Sequence, residues 1–362
     1  MNERLLNKLI KRKASGTLRT LQIPETGIDF FSNDYIGLSK INIPTSKEPN
    51  GSTGSRLLSG NSPEAERCEL KLAKHFKAEA ALIYNSGYAA NIGLLSAILQ
   101  RGDLVFYDQY VHASSRDGLR LSLAESTSFK HNDIEDLCTK LKKSKADTNY
   151  VLIESLYSMD GDLAPLIEIA NLCKSFNAYL IVDEAHAGGV YGQGGRGLCL
   201  ASQVESDIFA RIVTFGKAYG SHGAVVLGSN TLKSYLVNFS RSFIYSTALP
   251  PSSYKAIEQL VTNTNIEESL LLLKQNIIYF RKQCQSLEFL SDLNSPIQIL
   301  EFQNQEILED LVHRIKSHGI YTKAIYPPTV PQGKSRLRLC LHAFNTENEI
   351  DILTRCLLHS KP

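Results

Sequence analysis

Short, almost continuous apolar runs recur along this chain, each pair separated by enough residues for one helix. They are "AALIY" (80–84), "DLVFYD" (103–108), "NYVLIE" (149–154), "AYLIVDE" (178–184), "RIVTF" (211–215) and "AVVLG" (224–228). Between them lie segments of helical periodicity such as "PEAERCELKLAKHF" and "LIEIANLCKSF". Strands apolar on both faces, alternating with helices, predict an α/β domain built on a largely parallel sheet. Such sheets bind ligands where the strands' carboxyl ends open into loops. Polar residues cluster at those tips: Glu154 after VLI, Asp183 after LIV, and Thr214 then Lys217 after RIV.

The chain has 362 residues, enough for a large domain and a smaller one. After "YSTALPPSS" (245–253) the texture changes to two long helical stretches over about 252–289, then short strand-like and helical pieces. The expected division is an N-terminal segment 1–45, a large domain 46–250 and a small domain 251–362. A formal charge of +2 gives no basic excess, which argues against nucleic acid as the main partner. Seven scattered cysteines without a C-x-x-C pair fit free thiols in a reducing compartment, with no disulfide framework and no metal site. "MNERLLNKLIKRKASG" lacks the apolar core of a signal peptide, and no run is long enough to span a bilayer. Leu5, Leu6, Leu9 and Ile10 form one narrow stripe, as on a solvated surface helix. A cytoplasmic protein that does not bind membranes is the expectation.

"IVDEAHAGGVYG" sets Asp183 and His186 just past a buried strand. A carboxylate there can pair with a protonated ring nitrogen, since an opposite charge moves a pKa by about 1–3 units. Alone, the stretch reads equally as a helix-capping Asp with a satisfied His. In "IVTFGKAYGSHG", Lys217 stands between two apolar runs, where a partly desolvated lysine can form an imine. Asp183 and Lys217 on successive strand tips meet the two needs of pyridoxal phosphate, a pyridine-nitrogen partner and a Schiff-base lysine. "YNSGYAANIG" enters a helix whose first N–H groups, at Gly87 and Tyr88, suit a phosphate, with Ser86 and Thr214 hydroxyls alongside. A plain strand-to-helix turn capped by Ser86 fits the same residues. His112, beyond the tip at 108, is placed to lie on the pyridine face or to be structural.

Taken together and in order, "SNDYIGLS", "SGYAAN", "HASSRDG", "HND", "ESLYSMDGDLAPL", "VDEAHAGGVYGQGGRG", "TFGKAYGSHG", "YSTALPP" and "PPTVPQGKSRLRL" resemble the α-oxoamine synthases. These are pyridoxal-phosphate enzymes of the aspartate-aminotransferase fold (fold type I), with a mainly parallel sheet in the large domain and a smaller α+β C-terminal domain. The resemblance runs from about Arg19 to the C-terminus. It implies that Lys217 carries the cofactor and moves protons, and that Asp183 pairs with the pyridine nitrogen. His186 and Ser158 would bond the phenolic oxygen, with His112 stacked on the ring opposite Ala185. Gly87, Tyr88 and Thr214 would hold the phosphate, joined by Ser246 and Thr247 from the partner of a homodimer. Glu154 has a supporting role near the cofactor. Arg338 would bind the amino-acid carboxylate, and Arg19, Asn33 and Thr329 would line the substrate channel.

The implied reaction joins an amino acid to an acyl thioester with loss of carbon dioxide, giving an α-amino ketone. "SNDYIGLS" and "SMDGDLAPL" tilt the substrate expectation toward L-alanine and a pimeloyl thioester of coenzyme A or a carrier protein, as in biotin biosynthesis. Glycine- and serine-using members share most of these residues, and an aminotransferase or a non-catalytic partner subunit remains as a contrasting class. Three departures from the family pattern touch the substrate entrance or dimer contact: Ala65 where a histidine is common, Tyr326 where some relatives have arginine, and a shortened segment at 40–50.

Overall fold

The computed structural model describes residues 3–14, 17–21, 27–43, 49–327, 330 and 332–359. Its strands are β1 (Ile28–Asp29), β2 (Ala80–Tyr84), β3 (Asp103–Asp108), β4 (Glu125–Phe129), β5 (Thr148–Glu154) and β6 (Tyr179–Asp183). They continue with β7 (Ile208–Thr214), β8 (Ala224–Gly228), β9 (Ile297–Phe302), β10 (Ile320–Tyr321), β11 (Lys323–Ile325) and β12 (Ser335–Cys340).

The larger compact unit comprises Asn33–Ser158 and Asp162–Leu272. Its seven-stranded sheet has the order β2-β8-β7-β6-β5-β3-β4. Every pairing is parallel except those of β8, which runs against both β2 and β7. Six strands therefore point their carboxyl ends the same way. All six apolar runs are strands, and the central ones are buried on both faces, as near-continuous hydrophobic sequence requires. The added strand, β4, reads "ESTSF"; it lies at the sheet edge, half in solvent, and so needs no apolar run.

The smaller unit gathers Met1–Ser32, Met159–Gly161 and Leu273–Pro362. It holds the antiparallel sheet β11-β12-β9 and the two-stranded parallel pair β1-β10. The helices Gln305–Ser317 and Glu347–Leu358 each bury one apolar face, with Leu308, Leu311 and Ile315 on the first and Ile350, Leu353 and Leu357 on the second. The helix Glu3–Ala14 buries none of its residues, so the Leu5–Ile10 stripe is exposed.

These boundaries differ from the expected ones at 45/46 and 250/251. Residues 33–43 belong to the larger unit because Tyr35, Ile36 and Leu38 are buried there. So does the helix Pro251–Glu258, which buries Tyr254 and Ile257. Its Glu258 carboxylate bonds Arg67 and Lys71 of the helix Pro63–His75 at 3.0 and 2.7 Å. Downstream of Asp162 the polypeptide returns to the smaller unit at Leu273, partway along the helix Glu267–Gln283.

Candidate active site

The loop carrying Lys217 joins antiparallel β7 and β8. It is closed by Phe215 N–H to the Gly223 carbonyl (2.9 Å), Ser221 N–H to Phe215 (2.8 Å) and Gly220 N–H to Lys217 (2.8 Å). Phe215, Ala218 and Tyr219 are buried, and the Tyr219 hydroxyl donates to the Gly195 carbonyl at 2.7 Å. Gly220 has φ +58°, and a Cβ there would lie 2.1 Å from the Ser39 backbone nitrogen. Only glycine allows that approach. Apolar neighbours thus fix the loop while the lysine side chain stays half-buried, which answers why a cation sits between two buried strands.

Lys217 Nζ lies 2.8 Å from His186 Nε2, and His186 Nδ1 lies 2.8 Å from the Tyr35 hydroxyl. Tyr35 donates in turn to Asn33 Oδ1 at 3.1 Å. Asp183, at the end of β6, is buried; Ala185 N–H donates to its Oδ1 and Asn91 Nδ2 to its Oδ2, both at 2.8 Å. Glu154, its register partner on β5, accepts the His112 backbone N–H at 2.5 Å. Burial, reinforced by the Asp183 charge and opposed by Lys217, pushes the Glu154 carboxyl well above its ordinary range. Burial also lowers His112, helped by Lys217 and opposed by Asp183, which keeps the ring neutral.

Gly87 opens the helix Gly87–Ile98, and Ser86 caps it by accepting Ala89 N–H at 3.1 Å. Ser86 is therefore the cap. The N–H groups of Gly87 and Tyr88 precede the first intrahelical acceptor and face no helix carbonyl. A Cβ on Gly87 would come 2.6 Å from Thr214 Cγ2, so the backbone runs directly against the end of β7. The Thr214 hydroxyl donates to the Ala185 carbonyl at 3.2 Å. This region unites a helix N-terminus, a buried carboxylate, a half-buried lysine and the His112 imidazole. That donor set fits pyridoxal phosphate: the carboxylate suits a protonated pyridine nitrogen, the lysine an aldehyde, and the bare glycine turn a phosphate.

The larger unit thus brings together Gly87, Tyr88, His112, Glu154, Asp183, Ala185, His186, Thr214, Lys217 and Asn33. Ser158 is half-buried on the loop leaving β5. In the segment containing Ser246 and Thr247, the Thr247 carbonyl accepts Asn85 Nδ2 at 2.7 Å, beside the turn into Gly87 of the same chain. Arg338 lies buried on β12 of the smaller unit, with Nη1 3.0 Å from Cys340 Sγ, and Arg19 of that unit is exposed. Thr329 and residues 44–48 of the shortened segment lie outside the described residues. Ala65 is fully buried on the helix Pro63–His75, and Tyr326 is half-buried.

Sequence reasoning missed Tyr35, Asn91 and Ser114, together with a second polar cluster. In that cluster His131 Nδ1 meets Asp108 Oδ1 at 2.9 Å and Nε2 meets Asp162 Oδ2 at 2.6 Å. Burial opposes its protonation, but the two aspartates prevail and push the imidazole up to about 10. The available signal was a lone amide, Asn91, in the otherwise small and apolar "YAANIGLL". A buried polar side chain there demands partners.

The family model for aminotransferase class I and II matches residues 25–357. Fold and site together define a fold type I pyridoxal-phosphate transferase. The 8-amino-7-oxononanoate synthase of Emericella nidulans is 37% identical, over 95% of this chain and 90% of its own length. Of solved structures, the Francisella tularensis 8-amino-7-oxononanoate synthase superimposes with a TM-score of 0.78 at 30% identity, covering 91% of this chain and 97% of that one. The Sphingomonas wittichii serine palmitoyltransferase gives 0.89 at 25% identity, covering 99% and 97%. The chain belongs to the α-oxoamine synthase family, pyridoxal-phosphate enzymes that condense an amino acid with an acyl thioester. Among the described residues no helix is long and apolar enough to cross a membrane.

Proposed function

We propose that this chain condenses L-alanine with a pimeloyl thioester, releasing carbon dioxide and free thiol, to give 8-amino-7-oxononanoate for biotin biosynthesis. The observation that carries the choice of substrate is sequence likeness. The 8-amino-7-oxononanoate synthases of E. nidulans, Lysinibacillus sphaericus and Cellvibrio japonicus share 35–39% identity over 92–98% of this chain. Among solved structures, the F. tularensis 8-amino-7-oxononanoate synthase shares 30% against 25% for the serine palmitoyltransferase of S. wittichii.

When bound, pyridoxal phosphate supplies a cationic ring that draws off negative charge developing at the amino acid's α-carbon. Asp183, held in place by hydrogen bonds from Ala185 N–H and Asn91 Nδ2, would pair with the protonated pyridine nitrogen. The Lys217 amine would hold the aldehyde carbon and would take and return the amino acid's α-proton. His186, between Tyr35 and Lys217, would orient that amine and with Ser158 bond the phenolic oxygen. His112 would cover one ring face with Ala185 on the other, and Glu154 would fix the His112 backbone. The Gly87 and Tyr88 N–H groups and Thr214 would take the phosphate, with Ser246 and Thr247 donated by the second subunit of a homodimer. Arg338 would clamp the substrate carboxylate, and Arg19, Asn33 and Thr329 would border the acyl channel.

A serine- and long-acyl-using enzyme is the second reading, favoured by the TM-score of 0.89 to a serine palmitoyltransferase. One experiment separates them. The purified protein, loaded with pyridoxal phosphate, is given alanine, glycine or serine with pimeloyl, acetyl, succinyl or palmitoyl thioesters, on coenzyme A and on carrier protein. Mass spectrometry should find the ketone from alanine and pimeloyl thioester in largest amount. A preference for serine and palmitoyl thioester would overturn the proposal, and pyridoxamine phosphate without carbon dioxide would point to transamination.

A further inference from the structure

A buried hydrogen-bonded chain links Asp183 to the ring of His112. Asn91 Nδ2 donates one proton to Asp183 Oδ2 (2.8 Å) and the other to Ser114 Oγ (3.0 Å). Ser114 Oγ lies 2.7 Å from His112 Nδ1, and the Ser114 backbone N–H points at the same nitrogen at 3.2 Å. Asn91, Ser114 and Asp183 are all at most 4% exposed, so water does not substitute for these partners.

The direction of every proton in this chain follows from the chemistry of its ends. A carboxylate only accepts, so the Asn91 amide must present its NH₂ side to Asp183. That orientation leaves Asn91 Oδ1 buried and without a hydrogen-bond partner, an unfavourable arrangement. Rotating the amide would instead set its carbonyl oxygen against the Asp183 anion, which is worse. With Asn91 donating, the Ser114 oxygen accepts and its own proton turns to His112. The Ser114 N–H independently requires Nδ1 to be an acceptor.

We infer that Asn91 and Ser114 are positioning residues that use the charge on Asp183 to fix His112 as the tautomer protonated on Nε2. Nδ1 is thereby withdrawn from proton transfer, and Nε2–H is the nitrogen left to donate toward a reactant. The inference rests on the cofactor reading above, since it gives His112 and Asp183 opposite duties on one ring. It goes further by tying their states to each other: the Asp183 carboxylate sets which nitrogen of His112 is left to donate.

The test is nitrogen NMR on the holoenzyme labelled with ¹⁵N-histidine, with the His112 pair assigned by its disappearance in His112→Asn. The expected spectrum has an unprotonated, hydrogen-bonded Nδ1 and a protonated Nε2 for His112. In Ser114→Ala, Nδ1 should move toward the shift of a free acceptor nitrogen. In the same variant kcat should fall about tenfold while the amino-acid KM stays within about twofold, a loss equivalent to one hydrogen bond. Asn91→Leu should reproduce both changes and also shift the pH titration of the cofactor's visible band. A proton on His112 Nδ1 in the wild-type holoenzyme, or wild-type kcat in a folded Ser114→Ala protein, overturns the inference. Failure of the wild-type protein to develop a visible band with pyridoxal phosphate would instead remove the cofactor reading on which it rests.

Discussion

Glu154 and Asp183 stand as register partners at the carboxyl ends of adjacent parallel strands, both buried, and they differ in how their charge is supported. Asp183 receives two hydrogen bonds, from Ala185 N–H and Asn91 Nδ2, whereas burial and the neighbouring anion push Glu154 upward. With its native value above its unfolded one, the Glu154 carboxyl binds more protons in the folded state. Its stabilising effect is complete below the ordinary carboxylate range and drains away as pH rises toward the native value. Glu154→Gln keeps an acceptor for the His112 N–H and cannot ionise. The apo variant should therefore melt higher than the parent at pH 8 and bind cofactor within about threefold of it. A lower melting temperature at that pH would contradict this account of the pair.

Lys217→Ala removes the amine proposed to capture the cofactor aldehyde, which lies 2.8 Å from His186 Nε2. The expected protein retains its fold, because Phe215, Ala218 and Tyr219 rather than the lysine anchor the loop. Its visible absorbance with pyridoxal phosphate should vanish, and borohydride should attach no cofactor. A variant with an unchanged, borohydride-reducible band would mean that another amine does the work.

Gly87→Ala tests the phosphate turn. The added Cβ would meet Thr214 Cγ2 at 2.6 Å, and the relief of that clash moves either the helix start or the threonine. Alanine is otherwise favourable in a helix, so apo stability should change little. Cofactor affinity should drop about tenfold, as expected for one lost or misaimed charge-assisted hydrogen bond. Equal affinities in a fluorescence titration would place the phosphate elsewhere.

His131 makes a prediction in the alkaline range. Folded, it is held up to about 10 by Asp108 and Asp162; unfolded, it returns to about 6.5. The stabilisation is complete below about 6.5 and is lost as pH climbs to about 10, amounting to a few kcal/mol over that window. Urea melts of the wild type should weaken steadily across this range, while His131→Asn should start less stable and stay nearly level. Parallel slopes for the two proteins would show that the imidazole is not charged in the fold.

The sheet and the polar residues at its strand tips were legible because burial writes itself into sequence. A strand covered on both faces must be apolar, so a charged residue at its end, such as Asp183 after LIV, stands out. The edge strand β4, half-solvated, carries no such pattern. Asn91 and Ser114 were hidden for another reason: Asn91 lies 92 residues from Asp183 and 23 from Ser114, and only the fold brings them onto one hydrogen-bonded path. The unit boundary at Leu273 was equally silent, since it falls inside a continuous helix, where local propensity does not change. Tyr35 sits in a quoted motif, yet its role depends on His186, 151 residues on.

The place of β2 in the sheet bears on how the protein is made. This strand leads straight into the Gly87 turn, yet its one neighbour is β8, the last strand of that sheet to leave the ribosome. Until residue 228 emerges, the pairing edge of β2 is unsatisfied. A nascent polypeptide halted before β8 would therefore leave the β2 edge bare, as a strand for chaperones to shield.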